Sequence, residues 1–251
     1  VTIRVPDCAV VGTHEFDQFM KDNQLWQKAL NIEDNKKLER AFKKARLSID
    51  LILKLESYIL DHKNPLAVRS SSLLEDSQYQ PLAGTYKTIM LPNNSRSTKK
   101  RLNELMIAIK SVFASTFKGE AKSLLDSTGH RIEEEKMAVV IQEIVGQSYK
   151  SKRFYPTFSG VLKSINYYPV SYMKRDEGVA YLALGFGRTI VDGEKCLRIS
   201  PEYPLILPQF YSVKATKQNS QNQFYGLQLK ASENNSHEDL HTYSIKKAEE
   251  D

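Results

Sequence analysis

Apolar residues recur at intervals of three and four along the first half of the chain, which is the spacing of an amphipathic helix. The repeats predict a helix through Phe16–Met20, a longer one over about Glu33–Asp61, and another through Leu102–Phe113. Thr13 is a suitable N-cap for the first of these helices, and Pro65 ends the second pattern.

Shorter apolar runs predict strands, and most of them lie in the second half. The predicted strands cover residues 2–11, 66–70, 85–91, 138–145, 159–166 and 179–184, with further candidates at 205–210 and 224–229. Helices come first and strands second, so the pattern predicts an α+β fold with two lobes. We place the boundary in the charged connector Ser127–Glu134, which gives lobes of residues 1–131 and 132–251.

The composition is that of a globular protein. Hydrophobic residues make up 41% of 251 residues, enough for a substantial core. The longest apolar run, Val179–Leu184, is far shorter than the roughly 20 residues of a membrane helix, and no signal peptide is visible. Cys8 and Cys196 lie far apart in no metal-binding spacing. We therefore expect inert reduced thiols, no membrane partner and a cytoplasmic location.

The excess of positive charge is clustered. The window Ile144–Arg175 holds six basic residues, seven aromatic residues and no carboxylate. This mixture is typical of surfaces that bind single-stranded nucleic acid. The alternative interpretation is a solvated surface whose aromatic residues belong to the strand core.

The segment at residues 65–92 combines a short strand with a polar loop. The strand ends near Arg69, and three serines, two carboxylates and Gly84 follow before the next strand. A guanidinium group matches two phosphate oxygens, and hydroxyl groups and loop amides can complete a phosphate site. The alternative is a capped polar turn between two strands.

The same segment resembles a family motif. Val68–Asp76 followed by Ala83–Gly84 is similar to the V-R-S-S-x-x-x-E-D…A-G motif of the phosphoenolpyruvate synthase and pyruvate phosphate dikinase family. Three further segments resemble that family in the same order: Ala138–Val145, Phe158–Leu162 and Leu184–Gly193. The resemblance implies a two-lobed, ATP-grasp-like nucleotide-binding domain, incomplete at both ends.

The resemblance also implies roles for individual residues. Arg69 would contact the ATP phosphates and stabilise charge on the transferring phosphoryl groups, which makes it the candidate catalytic residue. Gly84 and Thr88 would line the nucleotide site. Gln142 would lie beside the adenine, whose edge the backbone of Glu143–Val145 would read. Mg²⁺ would accompany ATP, with its ligands outside this chain.

Some family elements are absent or changed. Arg188 stands where the family commonly has Glu, and neither the Gly-Lys element nor the terminal carboxylate strand is found. We therefore expect a piece of an ATP-dependent phosphotransferase that resembles phosphoenolpyruvate synthase, inactive on its own. Its partners would be ATP and a phosphate-acceptor domain or pyruvate-like substrate. The alternatives are a non-catalytic nucleotide sensor or scaffold and, less favoured, a module that binds single-stranded nucleic acid.

A segment near the C-terminus matches a zinc-binding motif. His237–His241 matches H-E-x-x-H, in which two histidines on one helix face bind zinc. The residues before it are loop formers, and no further His or Cys follows. A polar loop with two solvated histidines is therefore the favoured interpretation.

Overall fold

A computed structural model describes residues 2–72, 86–119, 121–123, 135–149, 152–170, 172–229 and 240–249. These residues form two compact units that divide after Ile144, and each unit is described by itself. The predicted boundary at residues 127–134 lies outside the described residues and stays a prediction. The strand at Met137–Glu143, which the sequence analysis placed beyond it, belongs to the first unit.

In the part of the chain that the structure describes, the first unit combines an antiparallel sheet with several helices. The strands are β1 (Cys8–Val11), β2 (Leu66–Ser72), β3 (Thr88–Leu91) and β4 (Met137–Glu143). The helices are α1 (Thr13–Asp22), α2 (Trp26–Asn31), α3 (Asn35–Lys44), α4 (Ile49–Asp61) and α5 (Thr98–Ser115). All neighbouring strands are antiparallel, in the order β1-β4-β2-β3.

Phenylalanine rings from three helical segments form the centre of the core. Phe16 packs edge-on against Phe113, with 5.2 Å between ring centroids, and Phe117 lies against both Phe16 and Phe42. All four rings are at most 1% exposed. Helices α1 and α5 contact the sheet, and α3 and α4 contact α5, so this core lies on one side of the sheet.

The long helix predicted over Glu33–Asp61 is wrong: the structure has two helices there. The chain leaves the helical conformation at Ala45, where ψ is 158°, and it re-enters after Ser48. The Ser48 hydroxyl accepts a hydrogen bond from the Leu51 amide at 3.2 Å and caps α4. The apolar spacing continues across the break because both helices bury residues in one core.

Two smaller predictions at the N-terminus also need correction. Gly12, not Thr13, is the N-cap of α1, and Thr13 is its first helical residue. The strand predicted over residues 2–11 forms only from Cys8, after Pro6, where β1 begins to pair with β4. Proline has no amide hydrogen to donate to such a ladder.

The second unit is rich in short strands. These are β5 (Gln147–Ser148), β6 (Arg153–Tyr155), β7 (Phe158–Lys163), β8 (Val179–Leu184), β9 (Leu197–Ile199), β10 (Gln223–Gln228) and β11 (His241–Ser244). They form two antiparallel sheets, β11-β10-β6-β5 and β7-β8-β9. The helices are α6 (Arg188–Val191), α7 (Val213–Asn219) and α8 (Lys246–Glu249), and there are 3₁₀ turns at Arg175–Glu177 and Pro208–Phe210.

Two turns of this unit are set by a proline and a glycine. The strand predicted at 205–210 is wrong, because Pro208 starts a 3₁₀ turn there. Gly185, which follows β8, has a φ of +77°, and a Cβ at that position would lie 2.7 Å from the Tyr225 carbonyl oxygen. Only glycine fits this turn without strain.

The mixed architecture with separate helical and antiparallel regions confirms the α+β class. Among the described residues, no helix is both long and apolar enough to cross a membrane.

Candidate functional site

The sheet of the first unit has one face in the core and one that carries polar and exposed side chains. Val68, Ile89, Val139 and Ile141 point to the core and are at most 1% exposed. Their neighbours along each strand point the other way. Cross-strand pairing places these neighbours in two rows, Val10–Val140–Arg69–Thr88 and Cys8–Gln142–Ala67–Met90, which together define the open face.

Three residues predicted from the sequence therefore lie on one face. Arg69 pairs directly with Thr88, and Gln142 lies in the next row, on the strand beside Arg69. Directly paired Cβ atoms are about 5 Å apart and diagonal neighbours about 7–8 Å apart. The structure thus brings together residues that are distant in sequence, on three adjacent strands.

Arg69 places a positive charge on this face. It is exposed, and within the described part of the chain its guanidinium makes no hydrogen bond or ion pair. Ser71, also exposed, lies two positions further along β2 and therefore on the same face. An uncompensated guanidinium beside hydroxyl groups suits an anionic ligand with several oxygen atoms.

The β1–β4 side of the open face is less polar. Val10 is 64% exposed and pairs with the half-buried Val140. Cys8 and Gln142 form the next pair. An apolar surface bordered by a carboxamide can bind a flat ring with polar edges. The open face therefore has an apolar half and a cationic half, each two strands and about 10 Å wide.

The segment Glu143–Val145 begins at the last residue of β4, and two of its amide groups already have partners. The Glu143 N–H donates to the Asp7 carbonyl at 3.0 Å, and the Ile144 N–H donates to the Pro65 carbonyl at 2.9 Å. The Glu143 carboxylate accepts a hydrogen bond from the Asn64 side chain at 3.2 Å. Among the described residues the Val145 N–H has no such partner, and the Val145 side chain is 66% exposed.

Gly84 and the two carboxylates of the predicted loop, Glu75 and Asp76, lie outside the described residues. Tyr86 lies just before β3, and its hydroxyl donates to the Glu135 carboxylate at 3.0 Å. Both side chains are at most 6% exposed. This buried bond holds the residues before β3 to those before β4.

A cluster of lysines lies at the start of β3. The Glu39 carboxylate is 2.7 Å from Lys43, 3.5 Å from Lys87 and 3.4 Å from Lys118. Burial raises the pKa of Glu39, but the hydrogen bond from Lys43 and the charges of the lysines outweigh it and lower that pKa to about 2. Three lysines around one carboxylate leave a net positive charge in this cluster.

The two cysteines differ in exposure. Neither forms a disulfide; Cys8 is exposed on the open face, whereas Cys196 is partly buried. Burial raises the pKa of the Cys196 thiol. The place of Cys8 and Val10 beside Gln142 could not be read from the sequence, because it depends on the pairing of β1 with β4.

Neither a metal site nor the zinc motif is supported among the described residues. These residues hold no group of three His, Cys, Asp or Glu side chains that could bind a metal ion. His237–Asp239 lie outside them, and His241 begins β11. His241 therefore lies on a strand and not on a helix.

A comparison of the sequence with known protein families gives a match over nearly the whole chain. Residues 1–249 match the family described as the pyruvate phosphate dikinase AMP/ATP-binding domain. The chain belongs to this family, which confirms the resemblance stated above.

A named relative supports the same assignment. The chain is 29% identical over 192 residues to a Bacillus subtilis (strain 168) protein described as an uncharacterized phosphotransferase, YvkC. The matched region covers 75% of this chain and 20% of that protein, so the chain spans about a fifth of its relative's length.

Proposed function

We propose that the open face binds ATP and that this chain is the ATP-binding part of a phosphotransferase. The observation that carries the proposal is the position of Arg69: an exposed guanidinium without partners among the described residues, directly paired with Thr88 on a sheet of an AMP/ATP-binding domain. The guanidinium fork binds phosphate oxygens through two hydrogen bonds and stabilises charge on a phosphoryl group in transfer.

The two halves of the open face suggest how the nucleotide lies. The triphosphate contacts Arg69 and Thr88, and the adenine lies over Val10 and Val140 with Gln142 at its edge. Because the Glu143 and Ile144 amides are used within the chain, the Val145 N–H is the remaining amide donor of this segment. The base would therefore be read by the Gln142 side chain, by carbonyl groups or by Val145.

Magnesium is part of this proposal only through the nucleotide. The described residues supply no set of three carboxylate, His or Cys side chains for it, so we assign no residue of this chain to Mg²⁺. When bound with ATP, Mg²⁺ neutralises the phosphate charge. Arg69 performs the corresponding task for this chain by holding phosphate oxygens at the sheet.

The finer identity follows from the family resemblance. We propose a reaction of the phosphoenolpyruvate synthase type, carried out by a longer cytoplasmic protein with an ATP-grasp-like domain. A phosphate-acceptor domain or pyruvate-like substrate would receive the phosphoryl group. A nucleotide sensor without catalysis would use the same face but transfer no phosphate.

The test is ATP binding by the Arg69→Ala variant, measured by isothermal titration calorimetry. A charge-assisted hydrogen bond contributes about 1.5–3 kcal/mol, so affinity should fall about tenfold to a hundredfold. Arg69→Lys should recover only part of the loss, because an ammonium group lacks the two-pronged geometry. Arg40→Ala, which removes an exposed arginine from helix α3, is the matched control and should bind as the wild type does. Unchanged affinity in a folded Arg69→Ala variant would exclude Arg69 from the site.

A second test uses the exposed thiol on the same face. Bound nucleotide should slow alkylation of Cys8, which pairs with Gln142, and leave the rate at Cys196 unchanged. Mass spectrometry after brief treatment with iodoacetamide measures both rates. Equal rates at Cys8 with and without saturating ATP would contradict the proposed location.

Exposed aromatic residues favour nucleic-acid binding as a second candidate function. Within the window Ile144–Arg175, Phe154 and Tyr155 are core residues, but Tyr167 and Tyr168 are 62% and 78% exposed. The Arg175 guanidinium lies 5.4 Å from the centroid of the Tyr167 ring. Bases could stack on such rings. Binding of single-stranded DNA that survives moderate salt and weakens in Tyr168→Ala would support this candidate.

A further inference from the structure

We propose that the second unit contains a separate binding site for a small, uncharged, planar aromatic molecule. A cavity of about 410 Å³ lies between the sheet β7-β8-β9, the 3₁₀ turn at Pro208–Phe210 and the end of α7. All the residues that line it belong to the second unit. The volume is within the range of about 300–1,000 Å³ found for small-molecule sites.

The floor of the cavity is one face of the sheet. Phe158 pairs with Leu184, and Leu182 pairs with Leu197, so these four side chains share a face. Phe210 contributes to the wall. Phe158 is 66% exposed, and among the described residues neither Phe158 nor Phe210 packs against another aromatic ring. Two aromatic rings without ring partners at one cavity favour a ligand that is itself aromatic and flat.

The polar groups of the cavity indicate the rest of the ligand. The Gln221 side chain is occupied: it accepts a hydrogen bond from the Leu184 amide at 2.8 Å and donates to the Leu184 carbonyl at 3.0 Å. The Asn219 amide nitrogen donates to the Gln209 carbonyl at 2.9 Å, which leaves its oxygen as an acceptor. Ser220, beside it, makes no side-chain hydrogen bond within the described part of the chain. A ligand with one hydroxyl or N–H group would match these acceptors.

The lining also excludes a class of ligand. The residues that line the cavity include no Lys, Arg, His, Asp or Glu. A phosphate or carboxylate would lose its hydration there without gaining a charged partner, which is strongly unfavourable. The cavity is therefore unsuited to the triphosphate of a nucleotide, and this inference does not rest on the function proposed for the open face.

The probe we choose is 2-naphthol, a neutral planar molecule with one hydroxyl group, and its fluorescence is titrated with the purified chain. We expect saturable binding at one site. Naphthalene-2-sulfonate, which has the same ring system and a negative charge, should bind at least tenfold more weakly. Phe158→Ala should weaken 2-naphthol binding about tenfold, because it removes one of the two rings that contact the ligand.

Leu162→Ala is the matched control. Leu162 is on β7, on the same sheet face as Phe158, and it is 78% exposed but does not line the cavity. This variant should bind 2-naphthol as the wild type does, and circular dichroism should show both variants folded. The proposal is overturned by binding that does not saturate, by equal losses in both variants, or by displacement of 2-naphthol by ATP. Displacement would show that the cavity belongs to the nucleotide site.

Discussion

The proposed orientation of the nucleotide separates two kinds of contact that can be tested apart. Arg69 contacts only phosphates in this arrangement, so Arg69→Ala should weaken ATP binding about tenfold to a hundredfold and leave adenosine binding unchanged. Adenosine has the same base and ribose as ATP but no phosphate group. The ratio of the two affinities therefore measures the phosphate contact alone.

Val140 lies in the same row as Arg69, on the apolar half of the open face. Val140→Ala removes two methyl groups, each worth about 0.8 kcal/mol when fully buried. Val140 is already half-buried without ligand. Only about half of this contribution, roughly 0.8 kcal/mol, is then gained on binding. ATP and adenosine should both bind about fourfold more weakly to Val140→Ala.

Calorimetric titration of both ligands into both variants provides the measurement. Leu53→Ala, which removes an apolar side chain that is 60% exposed on α4, is the control and should change neither affinity. The reasoning fails if Arg69→Ala weakens adenosine as much as ATP. It fails equally if Val140→Ala weakens ATP alone, since the base would then lie elsewhere.

Further predictions concern the stability of the fold. Glu39, whose pKa is about 2 in place of 4.5, stabilises the folded state above pH 4.5, and this contribution is lost as the pH falls towards 2. The pKa shift sets an upper limit of about 3.4 kcal/mol on this contribution to the free energy of unfolding, and solvent screening reduces it to about 1–2 kcal/mol. The free energies of unfolding of the wild type and Glu39→Gln, measured with urea, should therefore approach each other by that amount as the pH is lowered. Tyr86→Phe should lower the free energy of unfolding by about 1–3 kcal/mol, because the buried Glu135 carboxylate loses a hydrogen-bond donor. Tyr58→Phe should lower it less, since the Tyr58 hydroxyl has no partner among the described residues. Gly185→Ala should lower the melting temperature more than Gly193→Ala: both glycines have positive φ, but only the former is crowded by backbone.

How much of the site the sequence predicts depends on whether the contact is local. Arg69 was predicted because it belongs to the family motif, and Thr88 because it lies on the strand that follows the motif. These two strands are successive in the chain and pair with each other, which brings the two residues together. The place of β1 at the edge beside β4 was not predicted. It joins Cys8 to Gln142 across more than a hundred residues, and no spacing in the sequence encodes that pairing.

The errors in the helices and strands have local physical causes. Continuous apolar spacing across Ala45–Ser48 concealed a helix break, although Ser48 is a residue type that caps helices. At residues 205–210 the apolar residues led to the prediction of a strand, but the structure has a 3₁₀ turn that begins at Pro208. Proline is common in the first turn of a helix and is disfavoured inside a strand. In both places a single polar or proline residue decided the structure.

The candidate site and the core of the first unit are specified by the same strand register. Val68 and Arg69 are adjacent in β2, yet one is fully buried and the other exposed, because successive side chains leave a strand on opposite faces. A slip of one residue against β4 would turn Arg69 into the phenylalanine-rich core and expose Val68. The energy that prevents this slip comes from the apolar residues of the core face, not from the site. The open face can therefore carry an unpaired guanidinium and an exposed valine, features that add nothing to folding, while the opposite face holds them in position for a ligand.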